Sequence, residues 1–352
     1  MLNKKIIFCI IGIILISSIL IILNNNEIKF KTLQVLGIKN IPISINSKIF
    51  LEEIAVGLPS PYYIAVIEND IFFNERFTGN LFVIKNGDFQ KQPIINFSHI
   101  NEKTKILGIS AIDSLIFLHI ADVDFEAELY ENNRIFEYVW DGTDLIFKKE
   151  IMPKILFTDP HHSGGIIVDP RFNVYSTFPI KSIEPLTDYY VYGVHGFTFD
   201  RKTDNIWHTT EVDTKETWRD FVNDKNFVPD KYEKLHFISA ENMNKENFWE
   251  VPYYPNSLLI SGSTQQKLND SLFVGFCKGE KSKGGIYEYP LDSDRTDFAI
   301  NYRINEFRQV NHSEYLIAEN FYCVSDIEVN SRGDIYMTDY TTNGAIYKIS
   351  KR

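Results

Sequence analysis

Positive charge is what this chain is short of. Its 36 Lys and Arg stand against 47 Asp and Glu, giving a formal net charge of -11 at pH 7. Phosphate binding needs clustered Lys and Arg, so this balance argues against a nucleic-acid partner. It serves solubility, with an affinity for cations as the sharper alternative. Methionine is scarce too, at 4 residues against 27 Phe and 19 Tyr. Rings of that kind suit half-buried strands better than helices. Catalytic signatures are missing: there is no G-x-S-x-G elbow, Walker A, Rossmann glycine run, H-E-x-x-H or other zinc spacing. Beyond the N-terminal stretch no long amphipathic helix stands out. Apolar residues come instead in short runs set off by Gly, Asn, Asp and Pro. With 44% hydrophobic and 14% aromatic residues over 352 positions, the chain is not disordered and has room for one large all-β domain.

The N-terminal stretch stands apart. Residues 6–23, IIFCIIGIILISSILIIL, are unbroken apolar or small, with Lys4 and Lys5 just before them. That run is near the lower limit for a membrane-spanning helix, and Lys on its leading side holds the N-terminus in the cytoplasm. The run ends in Asn24-Asn25-Asn26-Glu27 without a small-x-small cleavage site. The reading is a signal anchor over 1–23, inserted in the lipid bilayer, then a linker and leading strand over 24–50. The folded domain over 51–352 then lies outside the cytoplasm. Cys9 falls inside the apolar run. Cys277 and Cys323 are left as either a disulfide or two separately buried thiols. Asn96-Phe97-Ser98, Asn269-Asp270-Ser271 and Asn311-His312-Ser313 match the glycosylation triplet, which is common by chance.

One pattern recurs along the domain: a small polar residue, an aliphatic, usually an aromatic, then small or polar residues. It appears at Asp70–Asn74, Ser114–Phe117, Asn173–Thr177, Asn205–Thr209, Ser271–Gly275 and Asp334–Thr338. Several copies lead through a turn to a second strand, as at Gly79–Ile84, Asn133–Tyr138, Gly285–Tyr289 and Gly344–Lys348. A strand, a turn and a second strand repeated in this way predict the blades of a six-bladed β-propeller, each burying its faces against its neighbours. A β-sandwich with similar hairpins is the competing architecture. The charged stretch Asp213–Glu250, with Trp218 and Trp249, shows little alternation and reads as a long excursion between strands.

Several segments resemble the glucose/sorbosone dehydrogenase family, which contains the soluble quinoprotein glucose dehydrogenases. Gly57-Leu58, Pro61-Tyr62 and Glu75-Arg76, with Gly79 slightly later, are similar to its opening blade. Ile106-Leu107-Gly108-Ile109 is similar to its next signature. His161-His162-Ser163-Gly164-Gly165, running into Ile166–Pro170 and Asn173-Val174-Tyr175, resembles its His-x-(Gly/Ser)-Gly segment. Gly196–Asp200 with Ile206-Trp207, Asn247-Phe248-Trp249, Ser271–Lys278 and Ser325–Asp339 complete a likeness in order and spacing over about residues 50–350.

The resemblance implies a six-bladed propeller that carries pyrroloquinoline quinone beside a calcium ion and oxidises an aldose or related sugar. It makes His161 the base for the anomeric hydroxyl, a role suited to an imidazole that titrates near neutrality. Lys278 matches a lysine contacting the quinone, where an ammonium balances carboxylates. His162 alternates away from His161 if that stretch is extended, and His195 is a further candidate for the same cavity. The metal ligands are not legible, since the family's are partly backbone carbonyls. Other family positions are replaced. Tyr192-Gly193 stand for an Arg-Asn pair, Lys103-Thr104-Lys105 for an acidic or amide residue followed by glycines, and Cys323 and Ser325 for two arginines ahead of the Asp326-Ile327 step. Glu211 comes one place late after Thr209-Thr210. Cys or Ser cannot reproduce a guanidinium's two-pronged grip on a carboxylate. Two other functions stay open: a non-catalytic propeller binding a glycan or protein, and a calcium-dependent lactonase-like hydrolase with converging Glu, Asn and Asp. The oligomeric state is not readable.

Overall fold

The computed structural model describes residues 42–351, except 47–48, 77, 125–128, 152–153, 160–164, 180–195, 211–232, 240–245, 252–253, 261–269, 279–283 and 301–309. The apolar run at 6–23 lies outside them. Among the described residues no helix is long and apolar enough to cross a membrane. Strands dominate, gathered into six sheets.

The first sheet is built from Pro61–Ile67, Asp70–Glu75, Asn80–Lys85 and Asp88–Phe89, with Ile95–Asn96 also pairing to Asn80–Lys85. The second holds Thr104–Ile112, Leu115–Asp124, Leu129–Trp140 and Leu145–Ile151. In the third, Ile166–Val168 pairs antiparallel with Val174–Pro179, and Lys154–Asp159 lies parallel on the other side of Val174–Pro179. The fourth contains Phe197–Asp200, Asn205–Thr210, Glu233–Ser239 and Glu246–Val251. Tyr254–Ile260, Ser271–Lys278, Gly284–Pro290 and Leu316–Phe321 make the fifth, edged by Ile43–Ser44. The sixth joins Val324–Val329, Ile335–Asp339 and Gly344–Lys351 to the early strand Ile49–Leu58.

The strands Pro61–Ile67, Thr104–Ile112, Ile166–Val168, Phe197–Asp200, Tyr254–Ile260 and Val324–Val329 pack side by side in that order, and the last packs against the first. They form the inner wall of a closed, propeller-like ring. All six copies of the recurring sequence pattern fall on the strand that pairs next to this wall. The second half of Asp213–Glu250 is no excursion, because Glu233–Ser239 and Glu246–Val251 are the outer strands of the fourth sheet. Lys234-Leu235-His236-Phe237 does alternate polar and apolar as a half-buried strand would, but over too few residues to stand out in so charged a stretch.

The core lies between sheets, as a ring of sheets requires. Phe72, Ile116, Leu118 and Trp140 pack between the first and second, and Phe117, Ile135, Ile166 and Val174 between the second and third. Leu259, Phe273, Ile327, Met337 and Tyr347 fill the joint between the fifth and sixth. Polar seams add direction to this apolar packing. Asn74 donates to the carbonyl of Ile106 at 3.0 Å, Ser176 meets His119 at 3.3 Å, and Ser257 donates to the carbonyl of Val324 at 2.9 Å. Gly275 leaves the room Ser257 needs there, since any Cβ at that position would collide with it.

Cys277 and Cys323 are bonded, tying the second strand of the fifth sheet to the start of the sixth. The bridge closes a loop with a sequence separation of 46. Such a loop restricts the unfolded chain. Reduction with dithiothreitol is expected to lower the thermal midpoint by about 5 °C or more, read by circular dichroism. An unchanged midpoint with both thiols shown free would refute a stabilising role.

Candidate functional site

All six inner-wall strands run in one sense, so the ring channel has two distinct ends. We call the end where these strands begin the upper end, and the end where they finish the lower end.

At the upper end, Tyr62 opens the inner strand of the first sheet, Arg76 follows the returning strand Asp70–Glu75, and Tyr340 follows Ile335–Asp339. The Arg76 guanidinium lies 4.3 Å from the Tyr62 ring centre and 4.8 Å from that of Tyr340. The two rings meet edge to face at 5.2 Å. Burial works against the charge on Arg76, but the phenol groups of Tyr62 and Tyr340 outweigh it and hold the group above its ordinary value. A half-buried cation between two aromatic faces is a rigid platform.

Lys278 is the last residue of its strand, and its backbone pairs with Tyr254, the first residue of an inner strand. The disulfide between Cys277 and Cys323 sits at this same end. His161, His162, His195 and the Tyr192-Gly193 pair lie outside the described residues, as does Glu211.

The channel wall of the sixth sheet carries two carboxyls one strand repeat apart, Asp326 and Glu328, both half-buried. Asp326 accepts the backbone N–H of Ile64 at 2.8 Å across the joint with the first sheet, and that of Ile327 at 3.0 Å. Burial nevertheless pushes Asp326 up to about 7. Burial and the neighbouring Asp326 raise Glu328 well above the ordinary carboxylate range, with Arg201 pulling the other way. Beside Asp326, the Ser325 hydroxyl donates to the carbonyl of Tyr62 at 2.8 Å and contacts Thr338 at 2.7 Å.

These contacts test the fit of the quinone cofactor. The two positions where arginines are expected hold a sulfur in a covalent bridge and a hydroxyl committed to the joint between sheets. Neither can donate to a cofactor carboxylate. The described residues at these positions do not fit pyrroloquinoline quinone. Among the described residues, no three His, Cys, Asp or Glu side chains converge as a metal site.

At the lower end, three turns repeat one device. Asp169 accepts the N–H groups of Arg171 and Asn173, Asp200 that of Lys202, and Asn330 those of Arg332 and Asp334. The sequence shows them as D-P-R-F-N, D-R-K-T-D and N-S-R-G-D. Each turn has an acceptor at its first position and a basic residue at its third. The basic residue of each turn reaches the neighbouring sheet: Arg171 to Asp204, Lys202 to Asp270 at 2.7 Å, and Arg332 to Asn69. A cavity of about 650 Å³ lies at this end, with Glu328 in its lining.

No family model matches the chain, and no curated protein does. Solved structures do. An oxidoreductase from Thermus thermophilus described as a glucose dehydrogenase superposes with a TM-score of 0.53 at 12% identity, over 86% of this chain and 100% of that one. Another glucose dehydrogenase gives 0.54 at 13%, again over 86% and 100%. The soluble aldose sugar dehydrogenase of Escherichia coli, in its apo form, gives 0.51 at 11% with the same coverage. At such identities the likeness is one of architecture: the chain has a glucose/sorbosone dehydrogenase-like fold.

Proposed function

We propose that this chain is a sugar-dehydrogenase-like propeller that receives an aldose or related sugar at the upper end of its ring. The observation that carries the reading is the Tyr62–Arg76–Tyr340 platform at that mouth. Aromatic faces stack on the apolar face of a sugar ring, while a fixed guanidinium donates to its hydroxyls. The fold likeness to sugar dehydrogenases and the placement of the Lys278 backbone at the same end support it. In an oxidation, His161 would take the proton of the anomeric hydroxyl while the hydride of the anomeric carbon passed to a two-electron acceptor supplied from outside the chain. No step is assigned to pyrroloquinoline quinone or calcium, because Cys323 and Ser325 leave the quinone without its grip. That misfit favours a second reading, a propeller that binds a glycan without oxidising it.

A location outside the cytoplasm, tethered by residues 6–23, belongs to the same proposal. The bonded Cys277–Cys323 pair supports it, since disulfides persist in oxidising compartments. The acidic balance continues to speak against nucleic acid.

The test is a titration of purified protein with aldoses, with and without pyrroloquinoline quinone and calcium, reading binding heat and dye reduction. Sugar binding is expected to weaken about tenfold in Arg76→Ala. Any dye reduction should fall by about 10²-fold or more in His161→Ala. Binding without dye reduction selects the second reading. No sugar binding and no reduction at micromolar quinone would remove both.

A further inference from the structure

The cavity at the lower end is not used by the upper-end reading. Its volume of about 650 Å³ lies within the range of small-molecule sites. The final residues of all six inner strands line it, and among its polar groups are Ser110, Thr198, Arg201, Glu328, Asn330 and Ser331.

One wall is built with care. Arg295 reaches in from the segment after the third strand of the fifth sheet, and its side chain is only 3% exposed. It donates through Nε to Asp200 at 2.7 Å and through a terminal nitrogen to Asp270 at 2.8 Å. Its backbone is held at φ 58°, a left-handed conformation that a long side chain adopts only under constraint. A strained backbone and a buried ion pair thus fix the cavity's shape in advance of any occupant.

The charges around the space select what could fill it. Arg201, Glu68 and Asp113 are exposed and Glu328 half-buried, and all four line the same cavity, beside the paired Arg295 and Asp200. A simple cation would meet Arg201, and a simple anion would meet the carboxylates of Glu68 and Asp113. Burial favours the protonated form of Glu328, which then donates as well as accepts. A neutral molecule with many hydroxyls can use every group on the wall at once.

We propose that the lower cavity is a second ligand site, for a neutral polyhydroxylated molecule of the sugar class, separate from the upper mouth. It does not depend on the upper-end reading. The test titrates the purified full chain by calorimetry with glucose, maltose and myo-inositol, with glucosamine and gluconate as charged controls. The protein is wild type, or Arg76→Ala with and without Arg201→Ala, Glu328→Gln or Ser331→Trp. Neutral probes are expected to bind the Arg76→Ala protein, about tenfold or more weakly once Arg201 is also removed. Ser331 is an exposed turn residue, so its Trp variant blocks the cavity without touching a buried group. It therefore keeps the test decisive if the Arg201 variant folds poorly. The proposal is overturned if no neutral probe binds Arg76→Ala protein. It is equally overturned if binding ignores Ser331→Trp, or if a charged control binds more tightly than every neutral probe. Loss of an upper event in Arg76→Ala alone bears only on the sugar reading above.

Discussion

Arg295→Ala is expected to destabilise the protein by about 3–5 kcal/mol, measured by denaturant unfolding. The guanidinium is paired to Asp200, which is 0% exposed, so its removal strands a buried carboxylate. Thr203 and the backbone of Lys202 still donate to Asp200, but they are neutral groups and do not replace a charge. The control is a double variant, Asp200→Asn with Arg295→Met. It removes both charges together and should recover more than half of the loss, because an uncompensated ion costs more than a missing pair. If the single variant loses less than about 1 kcal/mol, the ion pair does not organise the joint between the fourth and fifth sheets.

A second large effect concerns pH. Asp326 and Glu328 have folded-state values raised above those of the unfolded chain. Between about pH 4 and 7 the folded state therefore binds more protons than the unfolded one. Stability contributed by these protonated groups is present at the acidic side and is lost as pH rises through that window. Asp122 and Asp169 act in the opposite sense. Burial would raise them, but hydrogen bonds from Thr104 and Asn132 to Asp122, and from Asn173 to Asp169, hold both below the ordinary range. Their contribution is present above the ordinary carboxylate range and lost as pH falls below it. The stability maximum is thus expected on the acid side of neutrality. The variant Asp326→Asn with Glu328→Gln should flatten the decline and gain about 2–4 kcal/mol at pH 8. Unfolding curves at pH 5 and pH 8 decide it. Equal stability of the wild type at the two values would show that these carboxyls ionise freely.

The ring was readable from residues because each blade repeats one local signal. Asn205-Ile206-Trp207 and Asp334-Ile335-Tyr336 both place a polar turn residue before an aliphatic and an aromatic, and both fall on the strand next to the inner wall. Glu233–Ser239 carries no such signal, because its Leu235 is followed by His236 where the repeat has an aromatic carbon ring, and its alternation is short. Lys278 was legible as a position in a motif, and the described backbone brings it to the upper end. His161 was singled out in the same way and lies outside the described residues. Arg76 is legible in the sequence only as part of a family signature. Its partners Tyr62 and Tyr340 are far apart in sequence and meet only once the ring closes. The lower cavity was invisible for the same reason. Arg201, Arg295 and Glu328 belong to three different sheets, and no spacing along the chain announces their meeting.

The pairing of Ile49–Leu58 with Gly344–Lys351 has a consequence for biosynthesis. The earliest long strand of the ring must wait, unpartnered along that edge, until nearly the whole domain has left the ribosome. Until this clasp shuts, five sheets face one another around an open gap, and the apolar surfaces of Leu58, Ile64, Tyr336 and Ile346 remain wet. A nascent chain in this state is a natural client for chaperones, and a lesion in either clasp strand would act on maturation before it acted on any ligand.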